Sequence, residues 1–307
     1  MGKHATFSIT LIVLMALPIV ASLSATQKMP LVSSLNLSTQ PMHRGHPRIP
    51  VPPVTPNVAT TVQQPCPLPS GQCWASFNWG GYAVTGDTGS VSDVKGSWVV
   101  PSIQTVSGQC SQRDLSWYDS SFWIGIDGWN SNTVEQTGTS SDCYYGALQY
   151  YAWYEFYPAA SVTLFTVKPG DRIIAEVSYS SQSLQFTTAI KDLTSGKVFK
   201  TSAPVSAVPG AMENSAEWIS ESAAACIDTS CTLLSLLDLS DFGTGTFSFA
   251  TATVNAVTGP ISSFGSNVQW TEMVNMNFPA TPGIKAVPGP LTKAGNSFNV
   301  KFVSAGP

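Results

Sequence analysis

The sequence predicts an all-β antiparallel sandwich, and three observations carry that expectation. From residue 74 onward the chain consists of short runs rich in Val, Ile, Thr, Phe, Tyr and Trp, such as VKGSWVV, SFWIGI, LQYYAWYEFY, SVTLFTV and GTFSFATATV. Gly, Pro, Asn, Asp or Ser separate them, which is the punctuation of successive strands. No segment keeps a helical apolar period over about 12 residues, and the best helix candidate, Cys231–Leu239, is brief. TSGK at 194–197 lies between QFTTAIKDL and VFKTS, as a hairpin turn lies between its strands.

The elements before that region read differently. MGKHATFSITLIVLMALPIVASLSA has a short basic start, an apolar stretch from Ile9 to Val20 and then small residues. This is the pattern of a signal peptide over 1–25, so the protein is expected to be secreted. About 12 apolar residues broken by Pro18 is short for a membrane span. Residues 26–70 are rich in Pro, Ser, Thr and Val, and RIPVPPVTPNVATTVQQPCPLP reads as an extended linker. Lys28, Arg44 and Arg48 make that segment basic, with no acid among them. It is expected to be a propeptide that lies on the domain at 71–307 by charge attraction and leaves as acid neutralises the domain. A solvated arm is the simpler alternative.

Six cysteines in a secreted chain, with no CxxC, predict disulfides ahead of a metal site. Cys66–Cys73 and Cys226–Cys231 would be local loops and Cys110–Cys143 a longer bridge. No cofactor is expected.

Charge narrows the chemistry. The three histidines are His4, His43 and His46, and no Asp or Glu precedes Asp87. A product trimmed near residue 70 would carry ten basic residues against 18 acidic ones and no imidazole. That excludes a Ser-His-Asp triad, a Cys-His pair and an HExxH zinc site. Carboxylates remain as acid–base groups, with ordinary pKa values near 4, so such a product works in acid. No basic stripe or RNP-like motif points to nucleic acid. Nothing calls for an obligate partner, and a monomer is expected.

Strand alternation sorts the side chains by face. Trp123, Gly125 and Asp127 share one face of SFWIGIDG, opposite Phe122, Ile124 and Ile126, although Asp127 could equally brace a turn in GIDG. Tyr151, Trp153, Glu155 and Tyr157 share a face of YYAWYEFYP, which puts a carboxylate among aromatics. Gln136 points away from Glu135, so only one of them lines a cleft. Glu217, Ile219 and Glu221 lie together, opposite Trp218. From periodicity alone, core packing is the commoner fate of such aromatics.

Seven motifs in one order carry a family resemblance: NWGGYA (78–83), SWVVPS (97–102), FWIGIDG (122–128), EQTG (135–138), YAWYEFYP (151–158), KPGD (168–171) and SAEWISE (215–221). The chain resembles the glutamic peptidases, or eqolisins, over roughly residues 74–307. VTGPISSF and SFNVKFV look closer to prokaryotic than to fungal members. The resemblance implies two packed, curved antiparallel sheets like those of the legume lectins (a concanavalin A-like sandwich), with an extended polypeptide in the groove of the concave face. It implies an acid endopeptidase using Gln136 and Glu217 as its dyad, with Trp123, Asp127 and Glu155 in supporting positions. It also implies a signal and a basic propeptide that inhibits until removed. Many fungal members have Asp four residues before the Glu of YEWYP. Tyr151 stands there instead, so what that Asp supplies does not carry over by position.

The residues alone leave two other readings open. Glu155 and Glu217 could be the paired carboxylates of a glycoside hydrolase, or the aromatic face could serve a carbohydrate-binding lectin-like module. Neither gives Gln136 a role. Glu221 could pair with Glu217 or be a solvated neighbour.

Overall fold

The computed structural model describes residues 43–44, 47–50, 66–105, 108–111, 116–226, 234–276 and 283–306. In chain order the strands begin with β1 (His43–Arg44), β2 (Cys73–Ser76), β3 (Trp79–Thr85), β4 (Val91–Val99), β5 (Trp117–Asp119), β6 (Ser121–Ile126) and β7 (Val134–Tyr144). Then come β8 (Ala147–Tyr157), β9 (Val162–Thr166), β10 (Arg172–Ser180), β11 (Gln185–Asp192), β12 (Val198–Pro204), β13 (Ser215–Glu221) and β14 (Ala224–Cys226). The last are β15 (Leu234–Leu236), β16 (Asp238–Leu239), β17 (Thr244–Val254), β18 (Val257–Pro260), β19 (Val268–Val274), β20 (Ile284–Pro288) and β21 (Phe298–Phe302).

The strands form two layers. One runs β9-β8-β7-β6-β13-β3-β19, antiparallel throughout. The other runs β12-β11-β10-β4-β17. The strands β20 and β21 stitch the layers at one edge by pairing with β19, with each other and with β17. Hydrogen bonding is therefore continuous round that edge, which leaves fewer strand edges bare. Among the described residues no helix is long and apolar enough to cross a membrane.

Period-2 alternation fills the space between the layers. Phe122, Ile124 and Ile126 of β6, Trp218 of β13 and Tyr82 of β3 point inward, against Val94 and Trp98 of β4, Ile173 of β10 and Phe247 of β17. Phe122 stacks on Phe247 with ring centroids 5.4 Å apart. Fully burying such side chains stabilises by about 1.5–3 kcal/mol each. The two buried indoles keep their N–H groups satisfied, Trp98 by donating to Thr139 Oγ1 (2.8 Å) and Trp218 by donating to the Lys95 carbonyl (2.7 Å).

Several expectations can be checked against these elements. TSGK is the turn between β11 and β12. KPGD is a turn too: the Lys168 amide donates to Asp171 Oδ2 at 2.7 Å, and Gly170 takes φ +89°. Cys66–Cys73 and Cys110–Cys143 are bridged. Cys226 is disulfide-bonded as well, and its expected partner Cys231 lies outside the described residues. The described part of Cys231–Leu239, the brief helix candidate, forms β15 and β16, which pair with β14 and β5. Tertiary pairing overrides the weak local helical pattern there.

Candidate active site

The inter-layer core takes one face of the first layer, and the other face carries the motif residues. Register places Ala83, Glu217, Gly125, Gln136 and Glu155 side by side on β3, β13, β6, β7 and β8. Residues directly opposite in adjacent strands project to the same side, so this row gathers segments far apart in sequence. Glu217 and Gln136 flank Gly125, at backbones about 10 Å apart for two strand spacings. A Cβ on Gly125 would stand 3.1 Å from the Cβ of Gln136 and 3.1 Å from Cζ3 of Trp123. A larger residue there would crowd the Gln136 side chain, the Glu135 carbonyl and the indole edge, each of which would have to give way.

One row along are Gly81, Ile219, Trp123, Gly138 and Trp153. A Cβ on Gly138 would fall 2.5 Å from the Trp123 Cβ, which accounts for the glycine of EQTG. Trp79, Trp123, Trp153, Tyr151 and Ile219 make a second apolar cluster, separate from the inter-layer core. The aromatics of this face therefore form its floor, whereas periodicity alone favoured packing in the main core.

The structure brings Gln136, Glu217, Glu155 and Trp123 together. Gln136 Nε2 donates to Glu155 Oε2 at 2.8 Å, which fixes which end of the amide is the donor and leaves its second N–H available. Gln136 Oε1 and both oxygens of Glu217 have no hydrogen-bond partner among the described residues. Unsatisfied buried acceptors cost roughly 1–3 kcal/mol each unless a donor such as water or substrate meets them.

Of the two readings open for Asp127, the structure shows the brace of a turn. It lies just past the end of β6 in the left-handed region (φ 71°), off the strand face. Its Oδ2 accepts from the amides of Met212 (2.7 Å) and Glu213 (3.0 Å), and its Oδ1 from Asn214 (3.0 Å). Asp127 thus anchors the approach to β13, and through it the height of Glu217. At the far end of the face, the Tyr151 hydroxyl donates to Asp142 Oδ2 at 2.7 Å, so the carboxylate there comes from β7.

Sequence reasoning set Glu221 on the site face without finding its partners, and it passed over Asn78 and the hydrogen-bonded carboxyl pair of Asp119 and Asp142. Glu221 is fully buried: its Oε2 accepts from Trp123 Nε1 (2.8 Å) and its Oε1 from Asn78 Nδ2 (3.2 Å). The spacing Glu217-x-Ile219-x-Glu221 already set it on the site face, but Asn78 and Trp123 come from other strands.

Burial dominates the electrostatics. It pushes the Glu217 carboxyl well above the usual range, with the Ser215 hydroxyl pulling back and the charge of Asp127 pushing further. Glu135 and Asp142 are likewise raised by burial and then by neighbouring aspartates. Asp93 is raised to about 7, by burial first. A folded-state value above the unfolded one means that stability is fully present below the ordinary carboxylate range. It is lost as pH rises through the raised values. These raised groups therefore favour the folded state in acid, whereas Glu176 and Asp192, held below the usual range, act in the opposite sense.

The stretch 47–50 packs on the same domain. Asn78 reads it on both sides, accepting from the Ile49 amide at 2.8 Å and donating to the Pro47 carbonyl at 3.3 Å. The Arg48 amide donates to the Gly128 carbonyl (3.0 Å), and its guanidinium lies 4.2 Å from the Trp129 ring centroid. In the whole chain Gln136 and Glu217 are at 0% exposure.

Comparison with known proteins converges on one assignment. The model of the peptidase A4 family matches residues 77–277. Aspergillopepsin-2 of Aspergillus niger is 33% identical over 201 residues, which is 60% of this chain and 67% of that protein. Scytalido-glutamic peptidase, solved with a transition-state analogue inhibitor, superposes with a TM-score of 0.60 at 21% identity, over 74% of this chain and 98% of that one. SCP-B, an eqolisin solved with the tripeptide Ala-Ile-His, gives 0.58 at 21% identity over the same shares. Those two structures share the sandwich fold, and the family match carries the rest. The chain belongs to the peptidase A4 family, the eqolisins, and is a glutamic endopeptidase.

Proposed function

We propose that this chain is a secreted precursor whose mature domain cuts polypeptides in acid through Glu217 and Gln136. The observation that carries the reading is the row Glu217-Gly125-Gln136-Glu155. It sets one carboxyl and one amide on either side of a residue with no side chain. Access of water and substrate to the row relieves the burial that raises Glu217; Glu217, then ionised, takes a proton from water as the water attacks the peptide carbonyl. The protonated acid then gives that proton to the leaving amine. The remaining N–H of Gln136 donates to the developing oxyanion, and its Oε1 helps hold the water. Glu155, by accepting from Nε2, keeps the amide from turning over. With an amide in place of a second reacting acid, Glu217 meets no like charge from its immediate partner.

Gln136→Ala is expected to lower acid proteolysis by about 10²–10³-fold, the usual cost of one oxyanion donor. Wild-type and variant proteins are acidified and assayed on protein and on polysaccharide. Full protein cleavage by Gln136→Ala would remove the dyad, and cleavage of glycan alone would replace the peptidase reading with a glycosidase.

Residues 1–25 are proposed as the signal and 26–70 as an inhibitory propeptide on the domain 71–307. The contacts of 47–50 with Asn78, Gly128 and Trp129 support this. No cysteine precedes Cys66, so a cut between 51 and 65 would leave the upstream piece held without a covalent tether. An isolated 26–70 peptide is expected to inhibit the mature enzyme near neutrality and to weaken with acid or salt. Inhibition indifferent to both would count against electrostatic docking.

A further inference from the structure

We infer that Glu221 is a positioning residue for the reaction: its carboxylate holds the Trp123 indole, and the opposite edge of that indole shapes the gap between Glu217 and Gln136. The inference rests on the reading of those two residues as the reacting pair. Glu221 stands two residues beyond Ile219 on the site face, at the level of Ser121 and next to Trp79. Its two oxygens are engaged from two directions, by Trp123 Nε1 at 2.8 Å and by Asn78 Nδ2 at 3.2 Å. Charge-assisted bonds of this kind are short and directional, so the carboxylate has a fixed place.

Trp123 transmits that place. Trp79 packs edge-on against it, with centroids 4.9 Å apart and planes at 74°, so the indole is confined on one side. Its Nε1 is bound to Glu221, and its Cζ3 on the other side of the ring lies 3.1 Å from where a Cβ of Gly125 would be. Gly125 is the residue that separates Glu217 from Gln136 in the row. A turn of the ring that releases Nε1 therefore moves Cζ3 through the space where water and the scissile carbonyl meet. Displacements of about 1 Å at such a place cost on the order of 10²-fold in rate.

A purely structural role would have Glu221 do no more than satisfy a buried indole N–H. Glu221→Ala and Glu221→Gln, each in wild-type and Trp123→Phe backgrounds, separate the two. Glu221→Ala is expected to lower kcat about 10- to 100-fold with KM on a short peptide nearly unchanged. Glu221→Gln, whose amide oxygen can still accept from the indole, should recover most of it. In Trp123→Phe the link is already cut, so Glu221→Ala should cost nothing more. The indole NMR signal missing from Trp123→Phe identifies Trp123, and it should shift in Glu221→Ala. Independent, multiplying losses in the double variant, or an indole signal unmoved by Glu221→Ala, would overturn the inference. A wild-type enzyme inactive on protein in acid would sink the dyad reading instead, and the indole signal would still decide the Glu221–Trp123 link.

Discussion

Glu217→Gln is expected to abolish acid proteolysis, by on the order of 10⁴-fold or more, because one carboxyl serves as base and then as acid. The fold should survive, since the amide is isosteric and neither carboxylate oxygen has a hydrogen-bond partner among the described residues. The same change should alter stability in the opposite sense. Burial raises the Glu217 carboxyl well above the usual range, so in the native enzyme its ionisation is resisted and stability falls as pH rises through the raised value. The amide has no charge to bury, and the variant should lose less stability than wild type between about pH 4 and 7. Urea unfolding across that range, beside a peptide cleavage assay in acid, checks both halves. Retained cleavage would sink the assignment of Glu217. An unchanged pH slope would show that other carboxyls, such as Glu135 and Asp142, carry it.

Asp127→Ala is expected to cost roughly 3–5 kcal/mol, from about 1–3 kcal/mol for each buried N–H left without an acceptor. Three amides depend on this carboxylate, those of Met212, Glu213 and Asn214. Domains of this kind are stable by only about 5–15 kcal/mol, so the loss is a large share of the whole. Asp127→Asn, which keeps one acceptor oxygen, should fall between the two. Activity should drop with stability, because the anchored turn leads directly into β13 and Glu217 is its third residue. Denaturant melts of the three proteins decide it, and an Asp127→Ala enzyme as stable as wild type would show that the turn holds itself.

Both predictions use residues that the sequence already singled out, but for different reasons. The strands were legible because β-branched and aromatic runs broken by turn residues admit few other readings, and alternation sorted Trp123 from Ile124 and Ile219 from Trp218. The dyad was legible through EQTG and SAEWISE. The role of Asp127 was legible only as a choice between the strand face and the brace of a turn, and its left-handed backbone turns the carboxylate onto a segment 85 residues away, which no local pattern could name. The strands in the described part of Cys231–Leu239 were not legible either, because their partners, β14 and β5, lie outside any local pattern.

By itself the sequence determined a β-sandwich, a chain with no histidine after His46 and hence a carboxylate chemistry for that part, and the two residues proposed to perform it. Composition and period-2 alternation are local properties, and they survive whatever the chain does at long range. Only the tertiary structure decided that Gly125 is the gap between Gln136 and Glu217, that Glu155 orients the amide, and that Glu221 grips the indole beside them. Each of those facts is a register between strands distant in sequence. Register is set when two layers close on one core, because a slip of one residue would turn every buried Trp, Phe and Ile to the wrong face.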